Sequence, residues 1–249
     1  YTAAKPAGAP HDLEVLPRSR LTRIELPTDA GIQDVFRHLA SDQARTEAIA
    51  TDVRDAVGQG RKVLVLTERT EHLDAIKVAL DGLVPTPFVL HGRMSRKQRA
   101  ALVADLDALP PDVPRVLLST GKLVGEGFDH PPLDTLVLAM PVSWKGTLQQ
   151  YAGRLHREHA SKTDVRIIDF ADTGHPALLR MWDRRQRGYR TMGCRVVTRR
   201  EIRCQCDGVV LVWATIATNH VIYATILSSH RAGSSHARTH QRPPVPALG

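Results

Sequence analysis

Between residues 62 and 172 the chain alternates short, largely apolar runs with amphipathic ones, and few folds accept that pattern. "KVLVLT" (62–67) and "RVLLST" (115–120) carry an apolar run of Val and Leu, and "VRIIDFAD" (165–172) reads as a further strand. A strand half exposed to water alternates apolar with polar, whereas a strand covered on both faces reads as a continuous apolar run. Two further runs, "TPFVLHG" (86–92) and "LDTLVLAMP" (133–141), are read as strands as well. Between them "EHLDAIKVAL" (71–80), "SRKQRAALVADLDAL" (95–109) and "TLQQYAGRLHRE" (147–158) read as amphipathic helices, and "SDQARTEAIATDVRDAVGQG" (41–60) as a helix that precedes the first strand. Strand–helix alternation of this kind predicts an open, mostly parallel sheet with helices on both faces, a three-layer α/β/α lobe.

Outside that block the pattern weakens. Residues 1–40 are read as a lead-in: "YTAAKPAGAP" opens a linker through residue 20, and "LTRIEL" (21–26) is a short strand. Residues 41–195 form the predicted lobe, and 196–249 a tail of different character. In that tail "VVLVWATIATNHVIYATIL" (209–227) is free of charge over nineteen residues. Asn219 and His220 at its centre and its β-branched content suit two short strands better than a membrane span. Residues 231–249 are expected to be disordered. The composition of the tail resembles a shifted reading frame; a genuine β-rich appendage is the alternative.

Charge and cysteine use narrow the classes of function. The chain has a formal charge of +8, but residues 195–249 hold seven Arg, no Lys and two acids, which leaves about +3 for the first 194 residues. A polyanionic partner is compatible with that balance and is not required by it. Cys194, Cys204 and Cys206 are odd in number and have no C-x-x-C spacing, which argues against a disulfide framework and a structural zinc site. Reduced thiols imply a cytoplasmic protein. No G-x-S-x-G elbow occurs, so a Ser-His-Asp hydrolase of the α/β type is set aside.

In a parallel sheet, ligands gather at the carboxyl ends of the strands. Three of these ends carry polar or glycine-rich sequences: "TERT" from Thr67, "HGRMSRKQR" from His91, and "STGKLVGEGFDHPPLD" from Ser119. Such segments offer hydroxyls, backbone N–H groups and cations, which is what a phosphate chain requires. "QQYAGRLHRE" (149–158) sets Arg154 and Arg157 three apart, on neighbouring turns of one helix face.

Taken in order, these segments resemble the C-terminal RecA-like lobe of superfamily 2 helicases and translocases, over about residues 21–190. "KVLVLTER" is similar to motif IV and "VLHGRMSRKQR" to the stretch that follows it; "VLLSTGKLVGEGFDHPPLDTLVLAMP" is similar to motif V and "QQYAGRLHRE" to motif VI, the Q-x-x-G-R-x-x-R pattern. The "GEGFD" form and "HPALLRMWDRRQRGYR" look more like the DEAH/XPB-like and restriction-system subsets. The resemblance implies an arginine finger at Arg157, assisted by Arg154, with Gln150 positioning the helix or a water. It implies ATP contacts at Gly125, Gly127 and Asp129, and contacts to the backbone of a DNA or RNA strand at Thr67, His91, Gly92, Arg93 and Thr120. A phosphate loop, G-x-x-x-x-G-K-[ST], and a D-E-x-H box have no match in these residues. ATP and Mg2+ are therefore expected to be held largely by an N-terminal RecA-like lobe, in the same polypeptide or on a partner, and this chain to carry half an active site, inactive alone. No metal ligand is expected on the chain itself. The rival reading is a non-catalytic nucleic-acid-binding module built on the same lobe.

Overall fold

A computed structural model describes residues 13–20, 26–27, 30–121, 128, 130–142, 147–155, 159, 162–197, 210–213 and 224–227. Contacts divide the chain into two compact units, Tyr1–Thr198 and Arg199–Gly249. The first unit opens with β1 (Leu13–Arg20), α1 (Ile32–Ser41) and α2 (Gln43–Gly58), followed by β2 (Lys62–Thr67), α3 (Thr70–Ala79) and β3 (Phe88–Leu90). It continues with α4 (Arg96–Asp107), β4 (Arg115–Thr120), β5 (Thr135–Leu138), α5 (Thr147–Leu155), β6 (Val165–Asp172), α6 (Pro176–Thr191) and β7 (Arg195–Val196).

The seven strands form one sheet in the order β3-β4-β2-β5-β6-β1-β7, and every pair is parallel. The apolar runs do what their composition requires: all six residues of β2 and all four of β5 are buried. Alternation sorts their side chains between two cores. Leu64, Leu66, Leu117, Leu136 and Leu138 point into one, with Leu106 of α4, Tyr151 of α5 and Tyr189 of α6. Val63, Val65, Val116, Leu118 and Val137 point into the other, with Ile49 and Val53 of α2 and Leu73 and Ile76 of α3. A smaller core joins Val35, Phe36 and Leu39 of α1 to Met140 and Leu178.

The helices start where local chemistry lets them. The Asp42 carboxylate accepts the Arg45 N–H at 3.0 Å and caps α2. Ser95 and Gln98 form a reciprocal capping box on α4. His175 caps α6, with Pro176 in the first turn, where its missing N–H costs nothing.

The predicted three-layer parallel lobe is the fold observed, with a correction at its amino end. Residues 13–20, read as linker, form β1, which pairs with β6 along all eight residues from Leu13↔Val165 to Arg20↔Asp172. The strand expected at 21–26 lies mostly outside the described residues, and Leu26 itself is in a bend. Residues 32–40, expected as lead-in, belong to α1 (Ile32–Ser41), which closes the third core. At the other end the sheet continues into β7, where Val196 pairs with Val15.

In the second unit two strands are described, β8 (Val210–Trp213) and β9 (Ala224–Leu227), paired antiparallel. They fall within the charge-free run read as two short strands. No described helix is long and apolar enough to cross a membrane. The expectations for residues 231–249 and for a shifted reading frame lie outside the described residues.

Candidate nucleotide and nucleic-acid site

Parallel pairing brings the carboxyl ends of β2, β3, β4, β5 and β6 to one edge of the sheet. The five positions read as strand contacts lie at or just beyond the ends of three neighbouring strands there, in the order β3-β4-β2. Thr67 closes β2 but is 2% exposed. Its Oγ1 lies 3.0 Å from Nδ1 of His72 and 3.4 Å from the Arg69 N–H. The hydroxyl is therefore engaged inside the lobe, where it fixes the turn from β2 into α3.

His72 is wholly buried, and burial, followed by the nearby Arg45 cation, pushes its pKa down to about 3. The ring is neutral, and its Nε2 has no hydrogen-bond partner among the described residues. Arg69, at the cap of α3, donates to Glu71 at 2.9 Å and to the Gln33 carbonyl at 3.0 Å, tying the β2 edge to α1.

Beyond β3, His91, Gly92 and Arg93 make a surface turn. The Arg93 N–H donates to His91 Nδ1 at 3.3 Å, and Arg99 of α4 donates to the Gly92 carbonyl at 3.3 Å. The Arg93 side chain is exposed, so a cation stands at this edge, held by a backbone turn braced from α4.

Thr120 closes β4 and is half-buried. The next residue, Gly121, meets α5: the Tyr151 hydroxyl donates to its carbonyl. A Cβ on Gly121 would lie 2.8 Å from that hydroxyl, a contact only glycine avoids. Tyr151 is 2% exposed, so the tether between β4 and α5 is internal. Gln150 and Arg154 lie in α5, with side chains outside the described residues, and Gly125, Gly127, Asp129 and Arg157 lie outside them altogether.

Sequence reasoning missed the buried ions that hold this edge together. β6 ends with carboxylates on opposite faces. Asp172 faces α2, where Arg45 binds it through Nε and Nη2 at 3.1–3.3 Å and donates a further bond to the Ala139 carbonyl. Asp169 faces α6 and accepts from Arg185 at 2.8 Å and Tyr189 at 2.7 Å. Burial, with the Asp169 charge second, raises the Tyr189 pKa well above the ordinary phenol value. Both arginines stack on aromatic rings, Arg45 over Phe170 at 5.6 Å and Arg185 over Trp182 at 5.5 Å. Spacing of three along β6 puts the two acids on opposite faces, and that much was readable. Arg45 and Arg185 lie on other elements, and no local pattern names them.

Among the described residues no group of three His, Cys, Asp or Glu side chains is placed to hold a metal ion.

A parallel sheet with helices on both faces, a polar carboxyl edge and a motif VI helix tethered to that edge define the C-terminal RecA-like lobe of a helicase. The chain belongs to the family of the helicase conserved C-terminal domain, whose model matches residues 46–159. Uncharacterized protein 108L of invertebrate iridescent virus 3 is 37% identical over 86 residues, which cover 33% of this chain and 75% of that protein. Probable helicase D10 of Escherichia phage T5 is 27% identical over 142 residues, covering 57% of this chain and 31% of D10, so the chain spans about a third of that relative's length. Among solved structures, T4 UvsW superposes with a TM-score of 0.57 at 16% identity, over 75% of this chain and 40% of that one. S. cerevisiae Dbp5 bound to RNA and ADP BeF3 superposes with a TM-score of 0.51 at 13% identity, over 75% and 41%. These superpositions bear on the fold, and they do not separate the subsets of the superfamily.

Proposed function

We propose that the chain supplies the C-terminal half of an ATP-dependent nucleic-acid helicase or translocase. In this reading Arg157, with Arg154 beside it, reaches the γ-phosphate of an ATP molecule held mainly by an N-terminal lobe. It stabilises charge that develops as the phosphoryl group leaves, and provides neither a nucleophile nor a base. Gln150 orients the helix or the attacking water, and Gly125, Gly127 and Asp129 approach the nucleotide. His91, Gly92, Arg93 and Thr120 contact the backbone of the tracked strand, and Thr67 acts from inside the lobe through His72 and the turn into α3. Mg2+ belongs with the carboxylates of the other lobe.

The Tyr151–Gly121 hydrogen bond carries this reading. It brings α5 against the carboxyl end of β4, and Arg154 follows Tyr151 by three residues, about 4.5 Å along the helix axis. The nucleotide-facing arginines and the strand-facing loop thus share one tether, as lobes that convert hydrolysis into movement require.

The chain alone is expected to bind single-stranded oligonucleotide, and to lose affinity steeply as salt rises from about 50 to 200 mM, without hydrolysing ATP. Joined to its ATP-holding lobe, it is expected to lose about a thousandfold in turnover when Arg157 is replaced by alanine. Strand-stimulated hydrolysis by the chain alone, abolished by Arg157→Ala, would mean that a whole ATP site lies within it and would overturn the half-site reading. Strand binding and turnover of the joined lobes that are both indifferent to Arg157→Ala would favour the non-catalytic module.

A further inference from the structure

α6 is amphipathic in an unusual way. Leu178, Arg185, Gly188 and Tyr189 are buried on one side. On the opposite side Arg180, Arg184, Arg187 and Arg190 are all exposed. At 100° per residue these four fall within about 120° of helix circumference, and their Cα atoms span about 15 Å along the axis. Asp183 is the one acid on that face. None of the four guanidiniums has a carboxylate within ion-pair distance among the described residues, although arginines elsewhere in the lobe, such as Arg18, Arg37, Arg54 and Arg61, are paired.

From this face we infer a second nucleic-acid surface, which takes the sugar-phosphate backbone of a duplex. A stripe of like charges costs self-repulsion unless an anion covers it, and successive arginines rise by about 4.5–6 Å, near the spacing of phosphates along a strand. Arginine binds phosphate oxygens in pairs, with more geometric demand than lysine. No exposed aromatic side chain lies on α6; its tryptophan, Trp182, stacks with Arg185. Bases would therefore find no exposed aromatic ring on α6 to stack on, as single-strand surfaces provide, and a backbone with its bases turned inward fits better. A membrane surface would need apolar side chains beside the arginines, and on α6 only Leu179 is a large exposed hydrophobic.

The stripe lies on a different element from the motif residues. α6 follows β6, three strand positions from β4 in the sheet order, a distance of about 14 Å at normal strand spacing. The inference takes from the proposed function only that the partner is a nucleic acid.

The test compares the full chain with two triple variants in fluorescence-anisotropy titrations against a blunt duplex and a single strand over a series of salt concentrations. One variant carries Arg180→Gln, Arg184→Gln and Arg187→Gln. The other removes the same charge elsewhere with Arg37→Gln, Arg54→Gln and Lys77→Gln, all exposed. The stripe variant is expected to lose at least about tenfold in duplex affinity at moderate salt. Its slope of log K against log salt should fall by about 2.7, for three phosphates at about 0.9 each. Single-strand affinity should change less than about threefold, and the control variant should keep its duplex affinity within the same limit.

An unchanged duplex affinity overturns the inference. So does an equal loss in the control, which would reduce the effect to net charge, and so does competition by polyglutamate as strong per charge as by duplex, which would assign the face to an acidic protein. Thermal midpoints check that each variant is folded, and Arg184→Gln alone, expected to lower the slope by about 0.9, serves if the triple variant is not. Failure of the motif-edge reading would show separately, as single-strand binding indifferent to a His91→Ala, Arg93→Ala variant.

Discussion

His72 shows how much one enclosed ring can govern. Its neighbours are Thr67, with which it shares a hydrogen bond, the Arg45 cation and the Glu71 carboxylate, and burial dominates in pushing its pKa down to about 3. In the unfolded chain it titrates near pH 6.5. Between these values the unfolded state binds the extra proton, so stability falls as pH drops from 6.5 towards 3, with a contribution to the slope of up to about 1.4 kcal/mol per pH unit. Above pH 6.5 the ring is neutral in both states and contributes no slope. Urea unfolding at a series of pH values is expected to show this slope in the native chain and to lose that component in His72→Asn, which keeps a polar partner for Thr67 and does not titrate. His130, also held below its usual value chiefly by burial, retains its own contribution in both proteins. The sequence marked Thr67 through its motif and gave no sign of His72, because an enclosed histidine and a surface one are the same letter.

Individual elements were legible to the extent that their burial was uniform. β2, β4 and β6 were read with the bounds observed: β2 and β4 carry the unbroken apolar run of a strand covered on both faces, and β6 keeps Val165, Ile167, Ile168 and Phe170 around its charged residues. β1 was not, since "LEVLPRSR" interrupts its apolar residues with Pro17, Arg18, Ser19 and Arg20. The proline is tolerated for a structural reason. The Val15 carbonyl accepts from Val197 on the β7 side, and alternation turns the Pro17 nitrogen to that same side, beyond Val15, the last β1 residue paired with β7. Arg18 binds Asp52 of α2 at 2.7 Å and so joins strand to helix.

Arg45 performs the same service inside the lobe for α2, β5 and β6, and its removal tests that role. Arg45→Ala leaves the Asp172 carboxylate buried without its cation and is expected to cost about 3–5 kcal/mol in equilibrium unfolding. Arg45→Met with Asp172→Leu removes both charges and should recover most of that loss. Equal destabilisation by the single and double changes would mean that packing of the arginine stem, rather than its charge, holds the elements.

For the whole molecule the domain limits matter most. The boundary at residue 41 suggested by periodicity would discard β1, a full-length partner of β6, and α1, which covers Met140. A fragment of residues 41–195 is expected to expose the β6 edge and to aggregate or lack a cooperative transition, whereas residues 13–198 should unfold in a single one. Cooperative melting of the shorter fragment at an unchanged midpoint would show β1 and α1 to be dispensable. The lobe's identity was legible because motifs sit on successive strand ends; its amino-terminal limit was not, because β1 finds its partner far along the chain.

That partner lies 152 residues away, Leu13 opposite Val165, and this governs what happens while the protein is being made. At about 5–20 residues per second a ribosome needs roughly 8–30 s to deliver β6 after β1 has emerged. For that interval β1 is a strand without a sheet, liable to add itself to any other open edge. Pro17, Arg18 and Arg20, the residues that hid the strand from a hydropathy reading, are also what makes it a poor guest elsewhere. Its disguise in the sequence doubles as its protection during synthesis.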